Sequence, residues 1–221
     1  MIQNRAREIL RILQEKFTKP AWITSKMDPF ETLIITIISQ NTNDKNTIKA
    51  FERLSKTIGV TPESLAKSDV AKIEECLKIA GLYRNKARVI REVSRIILEE
   101  YGGSLKPILE KPFDEARKAL MKLPGVGTKT ADVVLLFSAG KPTIPIDTHI
   151  NRVSKRLGLA PKNGDYEKVR LALQSLFNPE EYMDAHILLI LLGRKYCRAR
   201  NPSCQECPVN ALCPSITSTS P

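Results

Sequence analysis

Apolar residues recur every three to four positions along almost the whole chain, the spacing that aligns one face of an α-helix. The pattern predicts helices over Ile2–Phe17, Pro29–Ser39, Thr47–Ile58, Ala71–Ala80, Lys86–Tyr101, Phe113–Lys122, Thr128–Ser138, Thr148–Leu157, Tyr166–Phe177 and Pro179–Arg194. No segment alternates with period two for long enough to make a strand, and no internal repeat is present. The punctuation agrees. Asp28-Pro29-Phe30-Glu31 and Asn178-Pro179-Glu180-Glu181 each combine a capping side chain, a first-turn proline and a glutamate at the third helical position. Thr61-Pro62-Glu63 marks a further start, and Gly59, Gly81, Gly102-Gly103 and Gly158 fall where helices should stop. The small, polar tail Ser215–Pro221 is expected to be disordered. The expected fold class is all-α.

At 221 residues the chain can bury a sizeable core and form one or two domains. Its longest apolar runs, Leu33–Ile38 and Ile187–Leu192, are too short to cross a bilayer. The N-terminus, Met1-Ile2-Gln3-Asn4-Arg5, opens an amphipathic pattern with no signal-peptide apolar block. The expected location is therefore intracellular, in the cytoplasm or on the nucleoid, and not secreted. In that reducing setting cysteines bind metal rather than pair. A formal charge of +11 and a pI near 9.5 point to an anionic partner, nucleic acid before membrane. Basic composition alone would also suit a soluble protein without one.

Four of the five cysteines, Cys197, Cys204, Cys207 and Cys213, stand at the spacing C-x6-C-x2-C-x5-C. Four thiolates so close in sequence can surround one metal centre. A single CxxC pair argues against a zinc ribbon, whose ligands come as two short-spaced pairs, and favours an iron–sulfur cluster, which also takes four thiolates. Arg198 and Arg200 stud the loop, which would present positive charge once folded on its metal. Two disulfides are the alternative, disfavoured because nothing else in the chain looks secreted.

A second chemical signal is Leu123-Pro124-Gly125-Val126-Gly127-Thr128-Lys129-Thr130-Ala131, between two predicted helices. Two glycines two apart permit a tight turn with exposed amides. Those amides, chiefly of Gly125, Val126, Gly127 and Thr128, lie where the next helix begins and its dipole favours a phosphate. This is a helix–hairpin–helix reading, a grip on the DNA backbone without base readout. A plain helix–turn–helix connection is the alternative. Gly-x-Gly alone would be weak; the flanking Leu-Pro and Lys-Thr-Ala strengthen it.

That hairpin, followed by Ile146-Asp147-Thr148-His149 and the four-cysteine loop, resembles the endonuclease III family. The resemblance extends to Asp28-Pro29-Phe30, Ser39-Gln40-Asn41-Thr42, Gly81-Leu82-Tyr83 with Lys86-Ala87, and Gly193-Arg194. It implies a bifunctional DNA glycosylase and AP lyase of base excision repair, acting as a monomer on double-stranded DNA with damaged bases or abasic sites. It implies oxidised or saturated pyrimidines, such as thymine glycol, as the bases removed, and a [4Fe–4S] cluster on the four cysteines. The implied fold is two helical lobes with DNA across the cleft between them. A six-helix barrel with the hairpin would span residues 24–133. The cluster lobe would combine residues 1–23 with 134–214. Lys129 would sit on one lobe and Asp147 on the other.

The chemistry of that pair can be reasoned from the residues. An amine can attack C1′ of the sugar, expel the base and form a Schiff base, after which the strand breaks by β-elimination. The amine must be neutral, and a lysine with pKa ~10.4 is neutral in only about 0.04% of molecules at pH 7. A helix N-terminus near Lys129 lowers that pKa, whereas a carboxylate steadies the ammonium. Asp147 is therefore expected to accept a proton and to stabilise the cationic sugar. Lys129 could instead be one of 35 basic residues on a solvated face, and Asp147 a helix cap before Thr148.

Other positions carry two readings each. Rotating a nucleotide out of the stack leaves a gap that something must fill. Leu82 matches the family's leucine for that purpose, but core packing would serve it equally. Gln40 and Asn41 both fit the family's polar gap-filling position. Asp44 could contact the extruded base or cap a helix. His149 could touch phosphate or make a structural hydrogen bond. Cys76 reads as a buried helix residue and Trp22 as core near the lobe junction. Two competing functions remain. A glycosylase that only removes a base would lack lysine in the hairpin, and its adenine-removing members carry an extra C-terminal domain that this chain is not expected to have. A non-enzymatic DNA-binding iron–sulfur module would use the hairpin, charge and cysteines equally well. Only the pairing of Lys129 with Asp147 favours an enzyme.

Overall fold

The structure, a computed structural model, describes residues 2–20 and 27–216. Trp22 and residues 217–221 lie outside the described residues. The described chain is helical throughout, without strands. Its helices are α1 (Ile2–Lys16), α2 (Pro29–Ser39), α3 (Asp44–Thr57), α4 (Pro62–Lys67), α5 (Val70–Leu77), α6 (Tyr83–Tyr101), α7 (Lys106–Leu109), α8 (Phe113–Met121), α9 (Thr128–Ala139), α10 (Thr148–Arg156), α11 (Tyr166–Gln174) and α12 (Tyr182–Lys195).

The helix starts follow their caps. Asp28 Oδ1 accepts from Phe30 N at 2.8 Å, and Pro29 occupies the first turn of α2. Thr61 and Ser64 form a reciprocal capping box on α4. α4 and α7 escape the periodic reading because they span only six and four residues, too few for a face to repeat. α3 begins at Asp44 rather than Thr47. Asn43 is its cap, accepting from Asn46 N at 2.9 Å, so Asp44 is the first helical residue and not the cap. The predicted 71–80 helix ends at Leu77, and Lys78–Ala80 tighten into a 3-10 turn. Asn178 and Glu181 form their capping box on another 3-10 turn, Pro179–Glu181, ahead of α12.

The chain folds into two compact units, Lys26–Lys141, and Met1–Ser25 with Pro142–Pro221. They divide beyond the expected boundary at residue 133, because α9 continues to Ala139 and packs on α2 and α8 as one piece. Each unit has its own core. In the first, α2 is apolar on every side. Its Phe30, Leu33, Ile34, Ile37 and Ile38 are at most 3% exposed, each worth about 1.5–3 kcal/mol on burial. In the second, α12 plays that part, burying Ala185, Leu188, Leu189 and Leu192 against α1 and α10. The two apolar runs of the sequence are thus the central helices of two cores, and no described helix is long and apolar enough to cross a membrane. Cys76 is buried, as expected.

Arg117 Nε and Nη2 donate to both carboxylate oxygens of Asp132, at 2.7 and 3.0 Å. Asp132 is fully buried. This bidentate ion pair locks α8 to α9, the two helices that flank the glycine-rich turn.

Candidate active site and cluster seat

The glycine-rich segment joins α8 to α9 through a type II turn. Pro124 stands at its second position, Gly125 follows with φ +70°, and Val126 N donates to Leu123 O at 3.1 Å. The Val126 side chain is buried too, so this residue shapes the turn rather than offering an amide. A Cβ on Gly125 would meet Val89 Cγ1 at 2.5 Å, so the close approach of turn and α6 requires glycine. Gly127, extended at φ −88° and ψ −178°, caps α9, and a Cβ there would enter open space. The first amides of α9 have no acceptor within their own helix and lie at its positive dipole end. Lys129 is the second residue of α9 and half-buried. Thr128 is half-buried as well.

Two further loops of the same unit carry exposed residues in left-handed backbone. Asn41 has φ +53° and is exposed; Leu82 has φ +47° and is 60% exposed. The core-packing reading of Leu82 is therefore overturned. For leucine the left-handed region costs about 1–2 kcal/mol, and such strain clusters where side chains are aimed at a ligand. Gln40 behaves differently from its neighbour. Its Nε2 donates to Gly125 O at 3.0 Å and to Thr130 Oγ1 at 3.3 Å, tying the loop to the hairpin.

In the other unit, Asp147 is the N-cap of α10, its Oδ1 accepting from Ile150 N at 2.7 Å. The capping reading of this residue is correct. His149 is half-buried, with Arg152 Nη2 donating to its Nδ1 at 3.1 Å.

The cysteine loop follows α12. Tyr196 N and Cys197 N both bond Leu192 O, turning the chain off the helix at Cys197. Then Cys207 N bonds Cys204 O, Asn210 N bonds Cys207 O, and Cys213 N bonds Asn210 O. Bonds spanning three residues stack every third side chain on one side, which brings Cys204, Cys207 and Cys213 together. All four cysteines line one cavity of about 220 Å³, closed by apolar Leu157, Leu192 and Ile216. Every cysteine is free, so the disulfide alternative fails. Burial, and then the charges of the neighbouring cysteines, push the Cys207 and Cys213 thiols up, against backbone amides that pull them down. Four sulfurs in a half-dry hollow, repelling one another and met by amides, form a donor set that a cationic cluster would relieve.

Sequence reading missed the brackets of this loop. Arg152 donates to Cys197 O at 2.9 Å and Gly193 O at 3.0 Å. Arg156 donates to Arg198 O at 2.7 Å, Ala199 O at 3.2 Å and Cys197 Sγ at 3.6 Å. The available signal was two arginines four apart on one face of α10. Arg198, expected on phosphate, is exposed and donates through Nη2 to Asn201 O and Ser203 Oγ, both at 3.0 Å; Arg200 is exposed as well. Ser215 and Ile216, expected to be disordered, are instead packed against the cysteine loop. Ser215 Oγ donates to Arg156 O at 2.7 Å, and both residues line the cavity.

Comparison with known proteins gives these features a context. Residues 34–179 match the HhH-GPD superfamily of base excision DNA repair proteins, and residues 197–213 match the iron–sulfur binding domain of endonuclease III. The cofactor of this chain is accordingly a [4Fe–4S] cluster. Endonuclease III of Escherichia coli strain K12 is 39% identical over 95% of this chain and 96% of its own length. That of Thermotoga maritima is 37% identical over 96% and 92%. A trapped endonuclease III–DNA covalent intermediate superposes with a TM-score of 0.85 at 33% identity, covering 98% of this chain and 97% of that one. A non-covalent endonuclease III–DNA complex also gives 0.85, at 34% identity over the same shares. From its helical cores, hairpin and cysteine hollow to its full-length relatives, the chain belongs to the endonuclease III family of the HhH-GPD superfamily.

Proposed function

We propose that this protein is a bifunctional DNA glycosylase and AP lyase of base excision repair, acting on double-stranded DNA inside the cell, on the nucleoid. One observation carries the reading: a half-buried lysine, Lys129, in the first turn of α9 directly behind the hairpin, in a family one of whose relatives has been trapped covalently on DNA. The substrate class that the family relation supports is oxidised or saturated pyrimidines.

The amides of Gly127 and Thr128, at the start of α9, take a DNA phosphate, helped by the positive end of that helix. Leu82 and Asn41, exposed on their strained loops, fill the space left by the rotated nucleotide. Gln40 is a strut from the Asn41 loop to the hairpin. Neutral Lys129 attacks C1′; the C1′–N bond breaks and the base leaves with its electron pair. Asp147 takes the proton that the amine sheds and steadies the positive charge on the sugar. Ring opening gives the Schiff base. Loss of a proton from C2′ then expels the 3′ phosphate by β-elimination, and water releases the lysine. The cluster, seated on Cys197, Cys204, Cys207 and Cys213, cross-links the loop that bears Arg198 and Arg200. This chemistry needs no electron transfer, so we assign the cluster a structural part.

Borohydride trapping on a duplex with an abasic site tests the reading. The wild type should form a covalent adduct and Lys129→Gln none, with DNA affinity within a few-fold, since one lysine among 35 basic residues adds little to the field. Absence of a wild-type adduct, or full lyase activity in the variant, would refute it.

A further inference from the structure

Lys86 is a buried charge that the proposed chemistry does not use. It is 3% exposed. Its Nζ donates to Ile38 O and to Ala80 O, each at 2.8 Å. No carboxylate is among these partners. Loss of hydration on burial holds its pKa below the ordinary lysine range. A buried cation is costly to keep, and a neutral side chain of similar length would fill the same space.

The two carbonyls indicate what the charge does. Ile38 lies in the last turn of α2, where carbonyls have no partner within their helix and the dipole is negative. Ala80 ends the 3-10 turn Lys78–Ala80. Beyond Ile38 the chain runs through Gln40 to Asn41, and beyond Ala80 through Gly81 to Leu82. These are the loops that carry the exposed, left-handed Asn41 and Leu82. Lys86 N also donates to Leu82 O at 3.1 Å, opening α6. One residue therefore holds the bases of both loops, and Gln40 carries the tie on to the hairpin.

We propose that Lys86 is a positioning residue: its ammonium braces the Asn41 and Leu82 loops into one rigid pair that enters the DNA stack together. This rests on the glycosylase and lyase reading above. It goes beyond that reading in assigning the alignment of two separate loops to one buried amine. Lys86 touches neither substrate nor the reacting sugar carbon in this role.

The test compares two substrates. A duplex with a damaged pyrimidine requires the stack to be opened and filled; an abasic site in single-stranded DNA requires neither. Lys86→Met keeps the length of the side chain and removes the donor. Single-turnover excision from the duplex should fall on the order of 10–100-fold, while strand scission at the single-stranded abasic site stays within about twofold. Leu82→Ala should lower the duplex rate in the wild type and add little in the Lys86→Met background, because the leucine is already misaligned. Lys86→Gln, with one amide to reach one carbonyl, should fall between. Duplex activity at the wild-type level in Lys86→Met, or equal losses on both substrates, would overturn the brace. A wild type inactive on both substrates would instead refute the enzyme reading. Should the variants fail to fold, amide exchange in the wild type decides: residues 39–42 and 80–83 should open as one unit, and separate opening free energies would end the proposal.

Discussion

The two glycines of the hairpin should separate stability from DNA binding. Gly125 has φ +70°, and an added Cβ would stand 2.5 Å from Val89 Cγ1. Left-handed backbone costs an L-residue about 1–2 kcal/mol. The clash adds roughly 1–3 kcal/mol, the usual range for overpacking, because valine is stiff about χ1 and cannot swing aside. Gly125→Ala should thus destabilise the Lys26–Lys141 unit by about 2–5 kcal/mol. Gly127 has an extended backbone, and its added Cβ would meet nothing. Alanine is a poorer cap than glycine, but it lowers the entropy of the unfolded chain by a comparable amount. Gly127→Ala should leave stability within about 1 kcal/mol. Its methyl would stand where the phosphate approaches, and DNA affinity should drop about tenfold or more, a loss of about 1.4 kcal/mol. Guanidinium unfolding and fluorescence anisotropy on an abasic duplex measure the two effects. Val89→Ala supplies the internal control: combined with Gly125→Ala it should recover the steric share of the loss and leave the backbone share. A Gly125→Ala protein as stable as the wild type, or a Gly127→Ala protein with unchanged affinity, would refute this division of labour.

Asp147→Asn keeps the shape of the cap and removes the proton acceptor, so base excision should fall by about 10²–10⁴ while binding to an abasic analogue persists; unchanged excision rates would reduce Asp147 to its cap on Ile150 N. Affinity for damaged and intact duplex alike should drop steeply with salt, at a log–log slope of about −0.9 per phosphate neutralised, and a flat response would contradict DNA binding itself. Protein made anaerobically with ample iron should be yellow-brown, with about four irons and four sulfides per chain. Stoichiometric zinc without iron would overturn the cluster. Cys204→Ser should disorder the loop and weaken DNA binding while the separate core of the Lys26–Lys141 unit stays folded, which near-ultraviolet circular dichroism and hydrogen exchange can report.

Local, periodic features were determined by the sequence alone. Helix faces repeat every three to four residues, so α1, α2, α6 and α12 could be placed within a few positions. Asp28 and Asn178 cap through their own side chains, so these starts were legible without any tertiary contact. The cysteine seat was legible because turns spanning three residues stack neighbours in one short loop. The hairpin was legible because Pro124 and Gly125 encode their turn in two residues. Only the tertiary structure decided the parts that depend on distant backbone. Lys86 looks like any helix lysine until Ile38 O and Ala80 O, from two other elements, converge on its amine. Arg152 and Arg156 look like solvated charges until the loop after α12 folds onto α10. Gln40 and Asn41 read alike in the sequence until one is bound to Gly125 O and the other stands exposed in left-handed backbone. In each case a carbonyl or a steep φ selects the role, and neither leaves a periodic trace in the order of the side chains.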